Sequence, residues 1–216
     1  MNIYQSNKLQ DLTNFEKYSA QLGIIERSMP DGADEFFKQL MKSHFRFMSE
    51  INKDSAFFDI KNILDKDISE DIRNETLYTE WLNDMAEVCR IFCILEKIDT
   101  VSFHLGTQRS CRRYHIDNVP RRMLVTYAGK GTEWIPDEAA DRKAFKSGEP
   151  NEKIIKDKSA LQFINPWDVA VFRGGPNGVL HRTPDVALNG PSILMKLDHP
   201  SFLRNIIPGE EIFEDY

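Results

Sequence analysis

The sequence predicts an α+β fold, in which mainly helical residues 1–99 precede β-rich residues 100–204 within a single domain of residues 1–216. Two observations favour this class. Apolar residues recur at helical spacing up to Asp99, and after it they alternate with polar residues or form short runs. Gly, Pro and Asn separate these runs, which is typical of a β-sandwich or barrel. The 216 residues, 41% of them hydrophobic, suffice for one sizeable core.

Two segments carry the helical pattern. Residues 31–53 open with acidic residues and predict a helix with one apolar face, formed by Phe37, Leu40, Met41, His44, Met48 and Ile51. Residues 74–99 repeat the pattern. We interpret both apolar stripes as core. Cys89 and Cys93 share one face of the second helix, where we expect apolar core positions, although metal binding by the pair is an alternative.

Short strands are predicted after Asp99. TVSFHLG alternates apolar and polar residues, as a half-buried strand does. The predicted strands cover residues 100–106, 122–129, 132–135, 161–164, 167–174 and 192–198. Residues 137–158 are charged and predict a surface excursion or a short helix.

Charge and composition exclude several classes of function. The formal net charge of -6 argues against general nucleic-acid binding, which needs a basic surface. No apolar run reaches the length of a membrane span, and the first residues lack the apolar segment of a secretory signal. Three cysteines without framework spacing argue against a disulfide scaffold. We therefore expect a cytoplasmic protein with reduced thiols and without a membrane or nucleic-acid partner.

The triplet His115-Ile116-Asp117 is the first candidate for a metal site. On a strand, residues two apart project to the same face, so His115 and Asp117 can approach one ion together. His181, after the apolar run WDVAVF and the turn RGGPNG, is the best candidate for a third ligand. Two histidines and a carboxylate with open coordination positions suit non-haem Fe(II). The same ligand types also bind zinc, so the sequence leaves the metal open.

Five arginines surround this triplet, namely Arg109, Arg112, Arg113, Arg121 and Arg122. We interpret them as a local basic cluster that attracts an anionic ligand; a solvated basic turn is the alternative. Cys111, close before His115, leaves open a zinc site formed with that histidine. His104 lies on the polar side of its strand, where it is either near the metal site or exposed.

In order and spacing, HIDNVPRRMLVTY, GTEW, PWDVAVFRGG and VLHRTP resemble the double-stranded β-helix oxygenases that depend on Fe(II) and 2-oxoglutarate. More closely, the sequence is similar to an uncharacterised bacterial family known as domain of unknown function 1826. The resemblance covers roughly residues 100–200. It implies a jelly-roll or cupin-like double-stranded β-helix barrel on which the helical half packs. His115, Asp117 and His181 are the iron ligands that it implies.

The resemblance also implies a 2-oxoglutarate site. The superfamily places an Arg or Lys soon after the distal histidine, where it pairs with the far carboxylate of the keto acid, but ALNGPS has no cation there. Arg122 is the favoured substitute, because Arg suits bidentate carboxylate recognition, and Lys196 is the other candidate. Thr126 and Tyr127 are candidate hydrogen-bond partners of the co-substrate. Glu133 is either an acceptor for a ligand histidine or exposed.

The function implied is hydroxylation of a small, anionic substrate by an Fe(II)- and 2-oxoglutarate-dependent dioxygenase. The open alternative is a cupin-like protein that holds Fe or Zn and binds or senses a ligand without oxygen chemistry. The absence of a cation soon after His181 favours this alternative. The oligomeric state is not indicated by any pattern in the sequence.

Overall fold

A computed structural model describes residues 3–201 of the chain. Its helices are α1 (Ala33–Leu40), α2 (Ala56–Leu64), α3 (Glu70–Arg73), α4 (Thr76–Glu96), α5 (Arg142–Lys146), α6 (Asn151–Ile154) and α7 (Asp185–Leu188). Its strands are β1 (Ile3–Ser6), β2 (Leu22–Ile25), β3 (Arg46–Asn52), β4 (Thr100–Gly106), β5 (Arg121–Ala128), β6 (Glu133–Ile135), β7 (Gln162–Phe163), β8 (Val169–Arg173), β9 (Leu180–Arg182) and β10 (Ile193–Asp198). Segments of 3₁₀ helix cover Leu9–Lys17, Asp137–Ala139 and Lys158–Ala160. Residues 202–204 of the predicted β-rich segment lie outside the described residues.

The strands form two sheets. The larger has the order β1-β2-β8-β5-β10-β4-β3, and the smaller has the order β7-β6-β9. β1 and β2 pair in parallel, and the other strand pairs are antiparallel. The fold is thus mixed α/β, with one large sheet and several helices. Within residues 3–201 the two sheets do not join into a closed barrel, so the predicted barrel is not found in that form.

The helices cover one face of the large sheet. The 21-residue helix α4 buries an apolar stripe there, and Met85, Val88 and Phe92 are fully buried in it. Alternate residues of the sheet, such as Val125 and Met195, join the same cluster. Each such side chain contributes ~1.5–3 kcal/mol when it leaves water, so this helix–sheet layer is the principal core. Across residues 3–201, the helices are too short or too polar to cross a lipid bilayer.

The other face of the large sheet, called the inner face below, turns toward the small sheet. Leu124 and Phe172 of the large sheet share an apolar cluster with Trp134 and Val179 from the small-sheet side. Strand alternation also puts polar side chains on this face of β4, β5 and β10, namely Ser102, His104, Arg122, Lys196 and Asp198. The polar groups available for a site are therefore gathered on the inner face.

The predicted helix over residues 31–53 is wrong beyond Leu40. The chain forms α1 and then strand β3, which pairs along its whole length with β4. Phe47 and Ile51 are buried on the helix-covered face, whereas Met48 is exposed on the other side. A spacing of four residues fits one side of a strand as well as a turn of helix, so periodicity alone does not separate the two. The backbone pairing of β3 with β4 stabilises the strand instead of a helix.

The first 99 residues, which the sequence predicts to form a mainly helical layer, also contribute three strands to the large sheet. β1 and β2 extend the large sheet at one edge, and β3 extends it at the other. The strands predicted after Asp99 are confirmed to within two residues, and the helix predicted over residues 74–99 is confirmed as α4. Cys89 and Cys93 are buried in the core as predicted, and together with Cys111 they are free thiols.

Candidate metal centre

Three of the predicted site residues converge on the inner side of the fold. In His115, Asp117 and His181, one ligand atom of each lies within 4.8 Å of the others. Asp117 and His181 are buried, and His115 is half-buried. Within residues 3–201, this is the one place where at least three His, Cys, Asp or Glu residues meet in this way. The fold therefore brings together the ligand set that the sequence predicts.

A two-residue antiparallel bridge sets the two histidines side by side. The backbone N–H of His115 donates to the carbonyl of His181 at 3.0 Å, and the N–H of His181 donates back at 3.1 Å. The ring centroids lie 4.4 Å apart. Directly opposed residues of an antiparallel pair project to one face, so the bridge directs both imidazoles to the same side.

Each imidazole is oriented by a backbone carbonyl two residues earlier. Nδ1 of His115 lies 3.1 Å from the carbonyl oxygen of Arg113, and Nδ1 of His181 lies 2.9 Å from that of Val179. A carbonyl oxygen can only accept, so Nδ1 carries the proton in both rings. In the neutral rings, Nε2 therefore presents its lone pair, which is the state of a metal ligand.

Asp117 provides the test of whether the site fits a cation. Its Oδ1 accepts from Arg122, whereas its buried Oδ2 has no hydrogen-bond partner among the described residues and lies 3.4 Å from Nε2 of His181. Burial lowers the pKa of His181 to about 4, so at neutral pH two acceptor atoms face each other without a proton between them. A divalent cation between these atoms would remove the repulsion. The residues therefore fit a metal ion.

The surrounding charges keep the carboxylate ionised. Burial acts to raise the pKa of Asp117, but its electrostatic interactions with His181, Arg122 and His115 outweigh burial and lower the pKa below its usual range, and Arg122 is the partner that stays charged at neutral pH. Burial acts to lower the pKa of His115, but a hydrogen bond with the Cys111 side chain and the charge of Asp117 raise it. Cys111 therefore contacts a ligand without belonging to the converging set, and zinc binding through its thiol stays a prediction.

Glu133 ties together the residues that flank the two histidines. It is buried, accepts from Nε and Nη2 of Arg182 at 2.8 and 3.1 Å, and accepts from the hydroxyl of Tyr114. Tyr114 precedes His115, and Arg182 follows His181. The two predictions for Glu133, an acceptor for a ligand histidine or an exposed position, are both wrong. No local pattern signals this network, because Glu133 meets Arg182 through the pairing of β6 with β9, and Tyr114 comes close through the bridge between His115 and His181.

Arg122 binds two carboxylates of the protein itself. Its Nε and Nη2 donate to Asp198 at 2.8 and 3.1 Å, and its Nη1 donates to Asp117. All three side chains are buried. This corrects the prediction that Arg122 clamps the co-substrate, because its fork is occupied. Asp198 is missing from the predicted site, although its place two residues after Lys196 in an apolar strand is a signal that could have found it.

The other residues predicted to contact the co-substrate lie in different parts of the structure. Lys196 lies on the inner face and lines a cavity. Thr126 is buried on β5 outside the lining of that cavity. Tyr127 points to the helix-covered face, where its hydroxyl donates to Asp84 at 2.7 Å. The structure does not bring Tyr127 to the site, which corrects its predicted contact with the co-substrate.

The five arginines around the triplet do not form one basic cluster. Arg122 contacts Asp117, whereas the other four are directed elsewhere: Arg112 is exposed, Arg109 donates to the Lys130 carbonyl and to Thr132, Arg113 donates to the Gly148 and Glu149 carbonyls, and Arg121 pairs with Glu96. The prediction of a single cluster is therefore wrong. Two of these arginines, Arg109 and Arg113, donate to loop carbonyls instead.

A cavity of about 670 Å³ opens on the inner face. Its lining includes His44, Arg46, His104, Lys196 and Asp198. His44, which the sequence places on a helix, lies in the connection between α1 and β3. Asp198 links the cavity through Arg122 to the metal ligand Asp117. Volumes of this order hold small molecules, so the cavity is a candidate ligand site; His115, Asp117 and His181 are not in its lining, and the link to them runs through these side-chain hydrogen bonds.

Comparison with known proteins gives a family but no established function. The crystal structure of EvdMO1 is similar over 89% of this chain and 67% of that chain, at 13% sequence identity and a TM-score of 0.29, which is too low to carry an argument. No curated protein matches the sequence. A family described as "Protein of unknown function (DUF1826)" matches residues 6–198, well beyond the resemblance seen in residues 100–200. Because this match spans most of the chain, including its helices, the chain belongs to the DUF1826 family.

Proposed function

We propose that the chain is a non-haem Fe(II)-dependent oxygenase that uses 2-oxoglutarate and hydroxylates a small, anionic substrate. One observation carries the proposal: His115, Asp117 and His181 offer two Nε2 atoms and one unpartnered carboxylate oxygen within reach of one ion. Three ligands of this kind leave coordination positions open for a co-substrate and oxygen. Structural zinc sites instead have four protein ligands, and three converge in residues 3–201.

The strand order supports a double-stranded β-helix as the finer description of the fold. From β4 onward, β4, β5, β8 and β10 belong to the large sheet, and β6, β7 and β9 belong to the small sheet. The His115 segment, between β4 and β5, bridges to β9. The antiparallel neighbours β8-β5-β10-β4 and the sheet β7-β6-β9 correspond to the two halves that such a β-helix would have.

The residues around the metal ligands have distinct roles in this proposal. Iron held by His115, Asp117 and His181 would supply the oxidative decarboxylation of the keto acid and the oxidation of the substrate. Arg122 donates to Oδ1 of Asp117 and so leaves Oδ2 for the metal. The buried ring of Phe172, whose centroid lies 4.4 Å from that of His181, excludes water from one side of this ligand.

We assign the far carboxylate of 2-oxoglutarate to Lys196. This residue lies on the inner face of β10, opposite His104 of β4 and Leu124 of β5, and it lines the cavity. Arg122 is less suitable because two aspartates occupy its guanidinium. Lys acts as a point charge, so it supplies attraction without the bidentate geometry of Arg.

The occupied guanidinium of Arg122 favours a second candidate function, a cupin-like metal protein that binds a ligand without oxygen chemistry. The arginine best placed in sequence to clamp a keto acid is committed to Asp117 and Asp198 instead. Zinc suits the same ligand types as iron. In this second proposal the cavity would hold a ligand that is sensed or stored.

Anaerobic addition of Fe(II) and then 2-oxoglutarate to metal-free protein tests the first proposal. We expect the weak visible charge-transfer band of a chelated keto acid, and succinate release once oxygen is admitted. Lys196→Met should raise the concentration of 2-oxoglutarate needed for the band by about tenfold or more, because one charge-assisted contact contributes ~1.5–3 kcal/mol. His199→Ala, outside the ligand set, is the matched control and should leave the band unchanged.

The outcomes separate the two candidate functions. Loss of the band in His181→Ala, with the band present in the wild type, would support the oxygenase. Stoichiometric metal binding without a band in the wild type would favour the cupin-like protein and zinc. Failure of the wild type to bind either metal would overturn both proposals.

A further inference from the structure

His104 is an unsatisfied polar group on the inner face, away from the metal ligands. Both of its ring nitrogens are buried, and neither has a hydrogen-bond partner among the described residues. Burial and the charges of Lys196, Arg46 and Arg122 lower the pKa of His104 to about 3, so the ring is neutral at pH 7. A neutral imidazole carries one N–H donor, and a buried donor without an acceptor is costly. The position therefore suits an acceptor from outside the chain.

The ring of His104 leans along β4 toward Gly106. A Cβ placed on Gly106 would lie 3.7 Å from Cε1 and 3.8 Å from Nε2 of His104. In the pairing of β3 with β4, Gly106 is opposite Arg46. Arg46 is exposed and makes no hydrogen bond or ion pair with the described residues. Because Gly106 has no side chain, this position does not fill the room beside the imidazole, on the face of the sheet that also carries Arg46.

The charge of the cavity lining favours an anion. Its charged side chains in residues 3–201 are Arg46, Arg109, Lys196 and Asp198. The one carboxylate among them, Asp198, is paired with the buried Arg122, which it shares with Asp117, and three cations of the lining outnumber it. A bound anion would lie near cations from β3, from β10 and from the loop after β4, namely Arg46, Lys196 and Arg109. It would also supply the hydrogen-bond acceptor that His104 lacks.

One wall of the cavity is apolar. Met41, Phe45 and Met48 line it beside Arg46. Met48 is 40% exposed, which is unusual for so large an apolar side chain on a paired strand. An apolar wall next to a cationic end suits a molecule with a hydrocarbon part and an oxyanion.

We propose that this cavity binds a small acid, whose carboxylate or phosphate lies between His104 and Arg46 and whose hydrocarbon part contacts the apolar wall. The anion would accept from the imidazole N–H and pair with the guanidinium, and both contacts are charge-assisted. The inference names the substrate class of the proposed oxygenase, and it rests on that proposed function for calling the ligand a substrate. Lys196, on the neighbouring strand β10, is the residue to which the proposed function assigns the co-substrate.

Hexanoate and its neutral isostere hexanamide are suitable probes. Both are titrated into the full chain at constant ionic strength, in the presence of a chelator, so that the carboxylate cannot bind a metal. We expect hexanoate to bind about tenfold more tightly than hexanamide or better, because charge-assisted hydrogen bonds are about twice as strong as neutral ones. The methyl resonances of Met41 and Met48 should shift, and the pKa of His104 should rise when the anion binds.

Two variants test the anion contacts, and a third controls for net charge. Arg46→Gln and His104→Phe should each reduce the hexanoate-to-hexanamide affinity ratio by about tenfold, since each removes one charge-assisted contact. Lys66→Gln removes the same charge at an exposed position outside the cavity and should leave the ratio unchanged. Arg46 is exposed on an edge strand, so its replacement does not disturb the core.

Equal affinity for the two probes, or the same ratio in Arg46→Gln as in Lys66→Gln, would overturn the inference. Because these titrations use neither metal nor 2-oxoglutarate, their failure would leave the charge-transfer test of the oxygenase unaffected. Conversely, a protein that selects hexanoate but forms no charge-transfer band would retain the acid site and lose the proposed oxygenase.

Discussion

His115 and His181 are held side by side by two reciprocal backbone hydrogen bonds, so the main chain sets the separation of the two imidazoles. The His115 segment lies between β4 and β5 and forms no strand of its own. β9, which carries His181, is fixed on its other side by pairing with β6. Because backbone bonds hold the arrangement, replacing one imidazole removes a ligand and leaves the position of the other in place.

Replacement of His181 by Ala should abolish stoichiometric binding of Fe(II) and Zn(II). Two remaining ligands are too few for a tight site, and the backbone bridge survives the substitution, so the folded state should persist. Metal content after purification and titration calorimetry at pH 7 measure the effect. Undiminished binding would refute the ligand set.

Cys111→Ser is the companion variant, because the thiol contacts His115 without converging with the ligands. We expect its metal content to equal that of the wild type. A loss of zinc in this variant would revive the cysteine–histidine site that the sequence leaves open.

The metal ligands are predictable from the sequence because the patterns that mark them are local. His115 and Asp117 are separated by one residue, and His181 follows an apolar strand and a glycine-rich turn. The side chains that hydrogen-bond around these ligands are not predictable from local patterns. Asp198 is 76 residues from Arg122, and Arg182 is 49 residues from Glu133, so only the sheet pairing reveals these contacts.

The limits of the fold prediction have the same physical origin. α4 is long and strongly periodic, so its existence follows from the sequence. β3 is misassigned because His44, Met48 and Ile51 are spaced as on one face of a helix, whereas the hydrogen bonds of β3 go to β4, about 50 residues later in the chain. Tyr127 is predicted at the site because its residue type does not reveal which face of β5 is covered by the helices. In the structure it lies on the helix-covered face.

Arg122→Met should lower the free energy of unfolding by ~3–5 kcal/mol, because it leaves Asp117 and Asp198 buried without a counter-charge. Urea unfolding of the metal-free protein at pH 7 measures this change. Arg90→Met is the matched control. It removes a half-exposed arginine paired with Glu87 on α4 and should cost no more than ~0.5 kcal/mol.

Asp198→Asn in the Arg122→Met background should restore part of the lost stability, since it neutralises one of the two unpaired carboxylates. A loss below ~1 kcal/mol in Arg122→Met alone would show that water already compensates these carboxylates. In that case Arg122 would have no positioning role at Asp117.

Glu133→Gln should weaken metal binding by ~10-fold and lower the free energy of unfolding by ~2 kcal/mol. The substitution keeps the size of the side chain but removes the charge that Arg182 and Tyr114 share. Arg182 keeps its second partner, Asp185, so the fold should survive. Competition with a chelator measures the affinity, and thermal unfolding measures the stability.

Glu149→Gln serves as the control for Glu133→Gln, because Glu149 forms an exposed pair with Lys153. Neither quantity should change in it. If Glu133→Gln lost stability with metal affinity intact, the network would support the fold without positioning the histidines.

His104→Gln should make the stability of the protein less dependent on pH between about 3 and 6.5. Burial and the neighbouring cations lower the pKa of His104 from its ordinary value of 6.5 to about 3. Within this window the unfolded chain binds a proton at His104 that the folded chain does not bind. The stability associated with this group is therefore complete above pH 6.5 and is lost as the pH falls toward 3, by up to ~1.4 kcal/mol per pH unit.

The measurable quantity is the difference in unfolding free energy between His104→Gln and the wild type, taken from urea titrations at pH 7, 6 and 5 without metal. Burial also lowers the pKa of His181, to about 4, and because His181 is present in both proteins we expect an equal contribution from it in each, which cancels in the difference. The difference should move in favour of the variant as the pH falls. A flat difference for His104→Gln would mean that this ring is protonated in the folded protein, and the acceptor that it lacks would then be water.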